Sequence, residues 1–309
     1  MFKKNFAVLD IGSNSFHIII ANSPDGRRFE VIDREKAVLR LASKDDKGVS
    51  FIKEQDIEKA IKLIDFFKTK AIMNRAEIKA VATSAVREAI NKDRFVERVA
   101  EATGVVINVI DGKEEALYIY RAARHFMQFK NKNVLCVDIG GGSTEFIVGN
   151  DVDPIFSTSL RMGAVRFTRE FFPDFVVRRH SVIAAAHYAG GMVEAIRSYV
   201  LNAGYETAIF SAGTAKSVLS MAAANGLIKP NEKVFSYGHL TKIHDLVLSR
   251  KEMNDRLVIP GLEAKRADVV VAGVIILKAI FEKLEIKEAC FSEYALREGV
   301  LLEQVLLLH

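Results

Sequence analysis

Apolar residues along the chain follow two spacings, and these divide it into strands and helices. Residues 5–42 read as three strands, built on runs such as Phe6–Leu9 and Phe16–Ile20, with Pro24-Asp25-Gly26 turning the second hairpin. Ile57, Ala60, Ile61, Ile64, Phe67 and Ala71 recur at steps of three and four, which predicts a helix within Ile52–Ile72. A strand Ile78–Ala82 follows, then a helix with its N-cap at Thr83 or Ser84. A strand Val105–Ile110 leads into a helix from about Lys113.

From Val134 the opening pattern begins again. A hairpin is followed by a strand ending near Leu160, and the segment Arg161–Arg166 introduces a helix that stops before Pro173. Helical spacing then dominates Arg178–Asn202, Thr214–Asn225 and Leu240–Leu284, the last broken at Pro260-Gly261. A short strand Ala289–Ser292 precedes a final helix Ala295–Leu308. Strands alternating with helices predict an α/β fold.

The repeat is local as well as global. The first hairpin carries Asp10, Gly12, Ser13, Asn14 and Ser15 between apolar runs; the second carries Asp138, Gly140, Gly141, Gly142, Ser143, Thr144 and Glu145. One supersecondary unit used twice predicts two related lobes facing each other across a cleft. Glycine permits positive φ or close approach of a ligand to the backbone. Successive N–H groups in such turns form anion nests, and Ser and Thr add donors. An aspartate beside a phosphate is repelled by roughly 4 kcal/mol at 4 Å and an effective dielectric of about 20. A divalent cation between them reverses that sign, and Mg²⁺ is ordinarily held by one or two carboxylates plus phosphates. Two tight hairpins with locally satisfied Asp and Ser are the plainer alternative.

Two common phosphate motifs are excluded. The second turn lacks the third glycine of a dinucleotide fingerprint and is followed by a strand. Ser211–Ser217 imitates the end of a P-loop, but Ala215 precedes the lysine and Phe210 replaces the first glycine. It still reads as a strand entering a helix, whose N-terminus at Gly213 and Thr214 offers a third phosphate contact.

Candidate acid-base groups lie near these turns. Glu114 and Glu115 open a helix, where acids suit the dipole in any case; either is placed to activate water, and spacing does not choose between them. Arg87 in the first turn of its helix points to an anionic partner, with surface solvation the simpler account. His17 reads as a strand residue and His244-Asp245 as helix surface. Seven scattered histidines without ligand spacing argue against zinc.

Bulk properties add limits. A chain of 309 residues, half of them apolar, has room for about two domains. The net charge of +5 is interspersed, which suits an anionic ligand and does not suit DNA; Arg161, Arg166, Lys265 and Arg266 could guide a polyanion. Cys136 and Cys290 sit in apolar runs, as core residues of a reducing compartment do. Asp10 interrupts the apolar stretch after Lys3 and Lys4, so no signal peptide is expected, and Val269–Leu277 is too short to span a bilayer. A cytoplasmic protein without a membrane partner is the expectation.

Taken jointly, Asp10–His17, Ala82–Arg87, Gly112–Ala116, Asp138–Glu145, Ser211–Thr214 and Leu296–Gly299 resemble the exopolyphosphatase/guanosine-pentaphosphate phosphohydrolase (Ppx/GppA) family, a branch of the actin-like ATPase superfamily. The resemblance runs nearly end to end, to the short, two-domain members; long members continue into a further helical region that helps bind long chains. It implies two actin-like (ribonuclease H-like) domains, at 1–125 and 126–294, with the helix 295–309 returning to the first. It implies Mg²⁺-assisted hydrolysis of a terminal phosphoanhydride, with K⁺ as a further activator.

By motif position, Glu115 would deprotonate the water and Arg87 would grip a phosphoryl group. Asp138 and Glu145 would organise the metal, with Asp10 sharing the task. Ser13, Asn14, Gly140, Gly141, Gly142, Ser143 and Thr144 would cradle phosphate, and Gly213 and Thr214 would contact it from the second domain. Inorganic polyphosphate is the first substrate implied. Guanosine pentaphosphate, hydrolysed at its 5′ end, is the second. A nucleotide or polyphosphate sensor without turnover and an actin-like kinase are further alternatives; a homodimer is compatible with each.

Overall fold

The computed structural model describes residues 4–24, 28–44, 48–127 and 129–306. The chain divides into two compact units, Met1–Ala122 with Leu296–His309, and Ala123–Ala295.

In the first unit, β1 (Lys4–Ile11), β2 (Ser15–Ser23) and β3 (Glu30–Val38) form an antiparallel meander. Asp25 and Gly26 of the expected turn lie outside the described residues. A small hairpin of β4 (Ala42–Lys44) and β5 (Ser50–Ile52) leads to α1 (Glu54–Met73), which returns the chain to β6 (Ala76–Ala82), parallel to β1. The one-turn α2 (Ser84–Arg87) and α3 (Lys92–Thr103) lead to β7 (Ile107–Val109), parallel to β6, and then to α4 (Gly112–Met127). The sheet order is β3-β2-β1-β6-β7.

The second unit repeats this plan. Strands β8 (Val134–Ile139), β9 (Thr144–Gly149) and β10 (Pro154–Leu160) form the meander. Helices α5 (Ala164–Phe171) and α6 (Arg179–Ala203) connect it to β11 (Thr207–Ser211), parallel to β8. Next come α7 (Ala212–Ala224), β12 (Val234–Ser236), α8 (Tyr237–Ser249), α9 (Met253–Arg256), a 3-10 turn at Ala264–Arg266, α10 (Val270–Lys283) and β13 (Glu288–Phe291), after which α11 (Leu296–Leu306) belongs again to the first unit. The order β10-β9-β8-β11-β13-β12 is the first unit's order with one added edge strand. Three antiparallel strands followed by two parallel ones, with the first strand at the centre, is the ribonuclease H-like plan of actin-like domains.

Burial explains the sequence pattern. Strands covered on both faces read as continuous apolar runs. Ala7, Leu9, Ile11, Phe16, Ile18 and Ile20 pack with Ile57, Ala60, Ile64 and Phe67 of α1. The opposite faces of β1 and β2 meet α11, whose Val300, Leu301 and Val305 are fully buried. In the second unit, α10 is buried almost all round and packs against α5, α6, α7 and α8. That burial removes the amphipathic signal that would have marked its ends.

The long helical region expected over Leu240–Leu284 is thus several elements. Ser236 caps α8 at Tyr237, accepting from the His239 amide at 3.2 Å while its own amide donates to His239 Nδ1 at 3.3 Å. The stretch after α8 is pinned by Arg256, whose guanidinium is 0% exposed and donates to four carbonyls: Ala267 at 2.8 Å, Arg250 at 3.1 Å, Lys251 at 3.2 Å and Phe175 at 2.6 Å. Among the described residues, no helix is long and apolar enough to cross a membrane. Cys136 and Cys290 are free thiols, and burial pushes Cys136 up to about 12.

Candidate active site

The two aspartate-led turns close with the same hydrogen bond. Gly12 N donates to Ser15 O at 3.2 Å, and Gly140 N donates to Ser143 O at 3.0 Å. Each aspartate is the last residue but one of a central strand, Asp10 opposite His17 and Asp138 opposite Glu145. Neither Gly12 nor Gly140 has positive φ; a Cβ at either would stand 3.1 Å from the carbonyl that accepts its amide. Glycine therefore suits the tightness of the turn and is not needed there for left-handed backbone.

In the first unit the turn is tied to its neighbours by side chains. Ser13 Oγ meets Ser84 Oγ at 2.8 Å, Ser15 Oγ meets His17 Nε2 at 2.8 Å, and Arg40 Nε donates to Asn14 Oδ1 at 2.9 Å. His17 Nδ1 contacts Arg297 of α11, whose Nη1 lies 3.9 Å from Asp10 Oδ2. Asp10 is thus an ion-paired carboxylate.

Beside it, Arg87 Nη1 donates to Ile110 O at 2.8 Å and to Glu115 Oε2 at 3.0 Å. Glu115 is 7% exposed, whereas Glu114 is half-exposed, so the structure separates two glutamates that spacing left equivalent. The amides of Lys113 and Glu114 are both held at 2.8 Å by Asp111, which caps α4. Those backbone donors, Glu114's foremost, lower the Asp111 carboxyl below the usual aspartate value.

The helical placement of Arg87 needs correction. It ends the one-turn α2 instead of opening a longer helix, because Asn91 is drawn to β5 by a pair of bonds with Ile52, at 2.9 and 2.8 Å. A basic residue suits a helix C-terminus, so the dipole argument for an anion at Arg87 lapses and its bond to Glu115 replaces it. Thr83 takes the N-cap position without a side-chain cap bond.

In the second unit, α5 buttresses the glycine turn. Ala164 N donates to Gly140 O at 3.0 Å, Val165 N and Arg166 N donate to Gly141 O at 2.9 and 3.0 Å, and Arg166 Nε donates to Gly142 O at 2.7 Å. The carbonyls of Gly140, Gly141 and Gly142 are thus all taken up by α5. A Cβ at Gly163 would lie 2.5 Å from the Gly141 backbone, so only glycine allows this approach. Ser143 is buried, and the Thr144 hydroxyl donates to Met162 O, which makes Thr144 a tie for the loop.

Asp138 and Glu145 are direct cross-strand partners and so project from one face of the sheet. They are 8% and 1% exposed. Each takes a hydroxyl donor, Asp138 from Ser211 at 2.5 Å and Glu145 from Ser159 at 2.8 Å. Among the described residues, no cluster of three metal-ligating side chains exists. Two adjacent carboxylates fit a hydrated Mg²⁺ whose remaining ligands are water and phosphate, and do not fit a closed protein cage.

Ser211 stands at the N-cap position of α7 but makes no cap bond, since its hydroxyl serves Asp138. The next residue, Ala212, has φ +62°, a left-handed conformation that costs a non-glycine residue about 1 kcal/mol. Against this helix start lies Arg266. A Cβ on Gly213 would come within 2.0 Å of its Nη1, and its buried Nε has no hydrogen-bond partner among the described residues. The buried Thr214 hydroxyl likewise has none. Burial lowers the Arg266 pKa. A guanidinium at the positive end of a helix dipole is unfavourably placed unless an anion joins it. The sequence offered Arg266 only as a steering charge, because nothing in Lys265-Arg266 distinguishes a buried arginine from a solvated one.

A model of the Ppx/GppA phosphatase family matches residues 19–308. The chain belongs to this family. Exopolyphosphatase 1 of Mycobacterium tuberculosis is 32% identical over 301 residues, covering 96% of this chain and 87% of that protein. Guanosine-5′-triphosphate,3′-diphosphate pyrophosphatase of Pseudoalteromonas atlantica is 30% identical over 297 residues, 96% of this chain and 58% of the relative. The crystal structure of the Aquifex aeolicus Ppx/GppA family member superposes with a TM-score of 0.81 at 28% identity, covering 100% and 99% of the two chains. The first aspartate turn precedes the span matched by the family model, so its role rests on its own geometry and on its likeness to the second.

Proposed function

We propose that this Ppx/GppA protein is an exopolyphosphatase, hydrolysing the terminal phosphoanhydride of inorganic polyphosphate and releasing orthophosphate. The observation that carries the proposal is the Arg87–Glu115 pair, a buried carboxylate held by a guanidinium in a phosphatase-family fold. Substrate phosphate competes for Arg87, and Glu115 takes a proton from the attacking water. The water oxygen bonds to phosphorus as the bridging P–O bond breaks, and the shortened chain leaves with the bridging oxygen. Phosphoryl transfer of this kind depends on positioning and charge more than on covalent chemistry.

The proposed roles follow the placements above. Gly141, Gly142 and Ser143, in the turn that the Gly140 amide closes, and the α7 start with Gly213 and Thr214 cradle phosphate through backbone N–H groups, and Arg266 adds a cation there. Ser13 and Asn14 supply the corresponding turn in the first unit. Asp138 and Glu145 would hold Mg²⁺. When bound, Mg²⁺ neutralises phosphate charge and polarises the phosphoryl oxygen. Asp10, already paired with Arg297, would share the task of organising the metal.

A second reading, 5′-phosphohydrolysis of guanosine pentaphosphate, is favoured by the Pseudoalteromonas relative's name, and the same groups would perform it. A sensor without turnover needs no buried base, and Glu115 weighs against it. The test is orthophosphate release from short polyphosphate, long polyphosphate and guanosine pentaphosphate, with Mg²⁺ and after chelation. The fastest release from polyphosphate, abolished by chelation, is expected. No release from either substrate class would remove the proposal, and faster release from guanosine pentaphosphate would favour the second reading.

A further inference from the structure

The side chains of the first turn are held by different partners. Ser13 shares a hydrogen bond with Ser84, and Ser15 shares one with His17. Asn14, at the tip between them, is half-buried, and its amide oxygen accepts from Arg40 Nε at 2.9 Å. An arginine can only donate, so this bond fixes which end of the amide is oxygen. The other end, Nδ2 with its two N–H donors, is left for a ligand. Arg40 is itself anchored, because the adjoining Leu41 is fully buried in the first unit's core.

We infer that Arg40 is a positioning residue for phosphate recognition: it locks the Asn14 amide so that the turn presents N–H donors. This inference deepens the proposed function and rests on it for the choice of phosphate as ligand. A phosphate oxygen can only accept, so an amide free to rotate would present its oxygen part of the time and repel the ligand. No covalent step is involved.

The test measures binding of inorganic tripolyphosphate in a Glu115→Gln background, which suppresses turnover, and KM and kcat in the otherwise wild-type chain. Arg40→Ala and Asn14→Ala should each weaken binding about tenfold, and the double variant no more than the worse single one, as expected of residues acting through one bond. Asn14→Asp, which offers only acceptors, should bind worse than Asn14→Ala. Arg40→Lys, which keeps a cationic donor, should recover part of the loss. The losses should appear in KM more than in kcat.

Arg40→Ala binding within about twofold of the parent would overturn the inference, as would single losses that multiply to about a hundredfold in the double variant. So would Asn14→Asp binding as the parent does, or a lowered Tm with unchanged binding by the folded protein. If the wild type releases phosphate from polyphosphate while Arg40→Ala binds normally, the inference alone fails. If the binding pattern holds and no polyphosphate is hydrolysed, the exopolyphosphatase reading fails and the inference stands. If the parent binds no tripolyphosphate, both fail.

Discussion

The Ser211 hydroxyl donates to Asp138 Oδ2 at 2.5 Å instead of capping the helix that Ser211 begins. One bond therefore does two things: it fixes a carboxylate at the end of β8 and leaves the start of α7 without a side-chain cap. Ser211→Ala is expected to lower kcat by about tenfold, the scale of one lost charge-assisted hydrogen bond. The melting temperature should fall modestly, because the buried Asp138 carboxylate loses a donor although no helix cap is lost. Steady-state kinetics beside a melting curve checks this, and an unchanged kcat would show that Asp138 needs no such restraint.

Asp138→Ala is expected to weaken the response to Mg²⁺, moving the midpoint of activation at least tenfold upward. A Mg²⁺ titration of phosphate release measures it. A midpoint unchanged from the wild type would place the metal elsewhere.

Gly213→Ala should behave as a variant of Arg266. The added Cβ would lie 2.0 Å from Arg266 Nη1, and a long side chain yields more easily than backbone. Replacing glycine in a helix with alanine gains about 0.5–1 kcal/mol, so the fold should not weaken. Gly213→Ala and Arg266→Ala are each expected to raise KM about tenfold, with no further loss on combining them. Multiplying losses would mean that glycine and arginine act separately.

Asp111 gives a pH dependence whose sign can be worked out. Its folded-state pKa lies below the ordinary aspartate value, so the carboxylate's contribution to stability is fully present above that ordinary value. It is lost as pH falls through the depressed folded value. Asp111→Ala should cost about 1 kcal/mol at neutral pH, as loss of a helix cap does, and the gap from the wild type should close in acid. Denaturant melts at neutral and strongly acidic pH compare the two, and a gap that persists in acid would contradict the capping role.

How far the sequence revealed this molecule can be judged from these residues. The repeated Asp-Ile-Gly turn was legible because strand periodicity and turn chemistry are both local. The meanders, the helix on β1 and the α/β class followed from it. The strands Ala42–Lys44, Ser50–Ile52 and Val234–Ser236 were not legible, since three residues carry no period. Spacing left Glu114 and Glu115 equivalent, and only the family resemblance pointed to Glu115; the contact that sets it apart is with Arg87, 28 positions away, and the restraint on Asp138 comes from Ser211, 73 positions away. Arg40 meets Asn14 across 26 positions, beyond the reach of any local motif. The turn residues proposed to meet the ligand could be marked on the sequence, while Arg266 and the residues that hold the turns in place appeared only once the chain was folded.

The central claim is that Glu115, gripped by Arg87, is the base of a polyphosphate-hydrolysing site. Orthophosphate release from inorganic polyphosphate by wild type and Glu115→Gln, at one Mg²⁺ concentration and with binding measured in parallel, tests it most directly. Release by the wild type is expected, with at least about a hundredfold slower release by the variant and substrate still bound. Full turnover by Glu115→Gln, or none by the wild type, would contradict it.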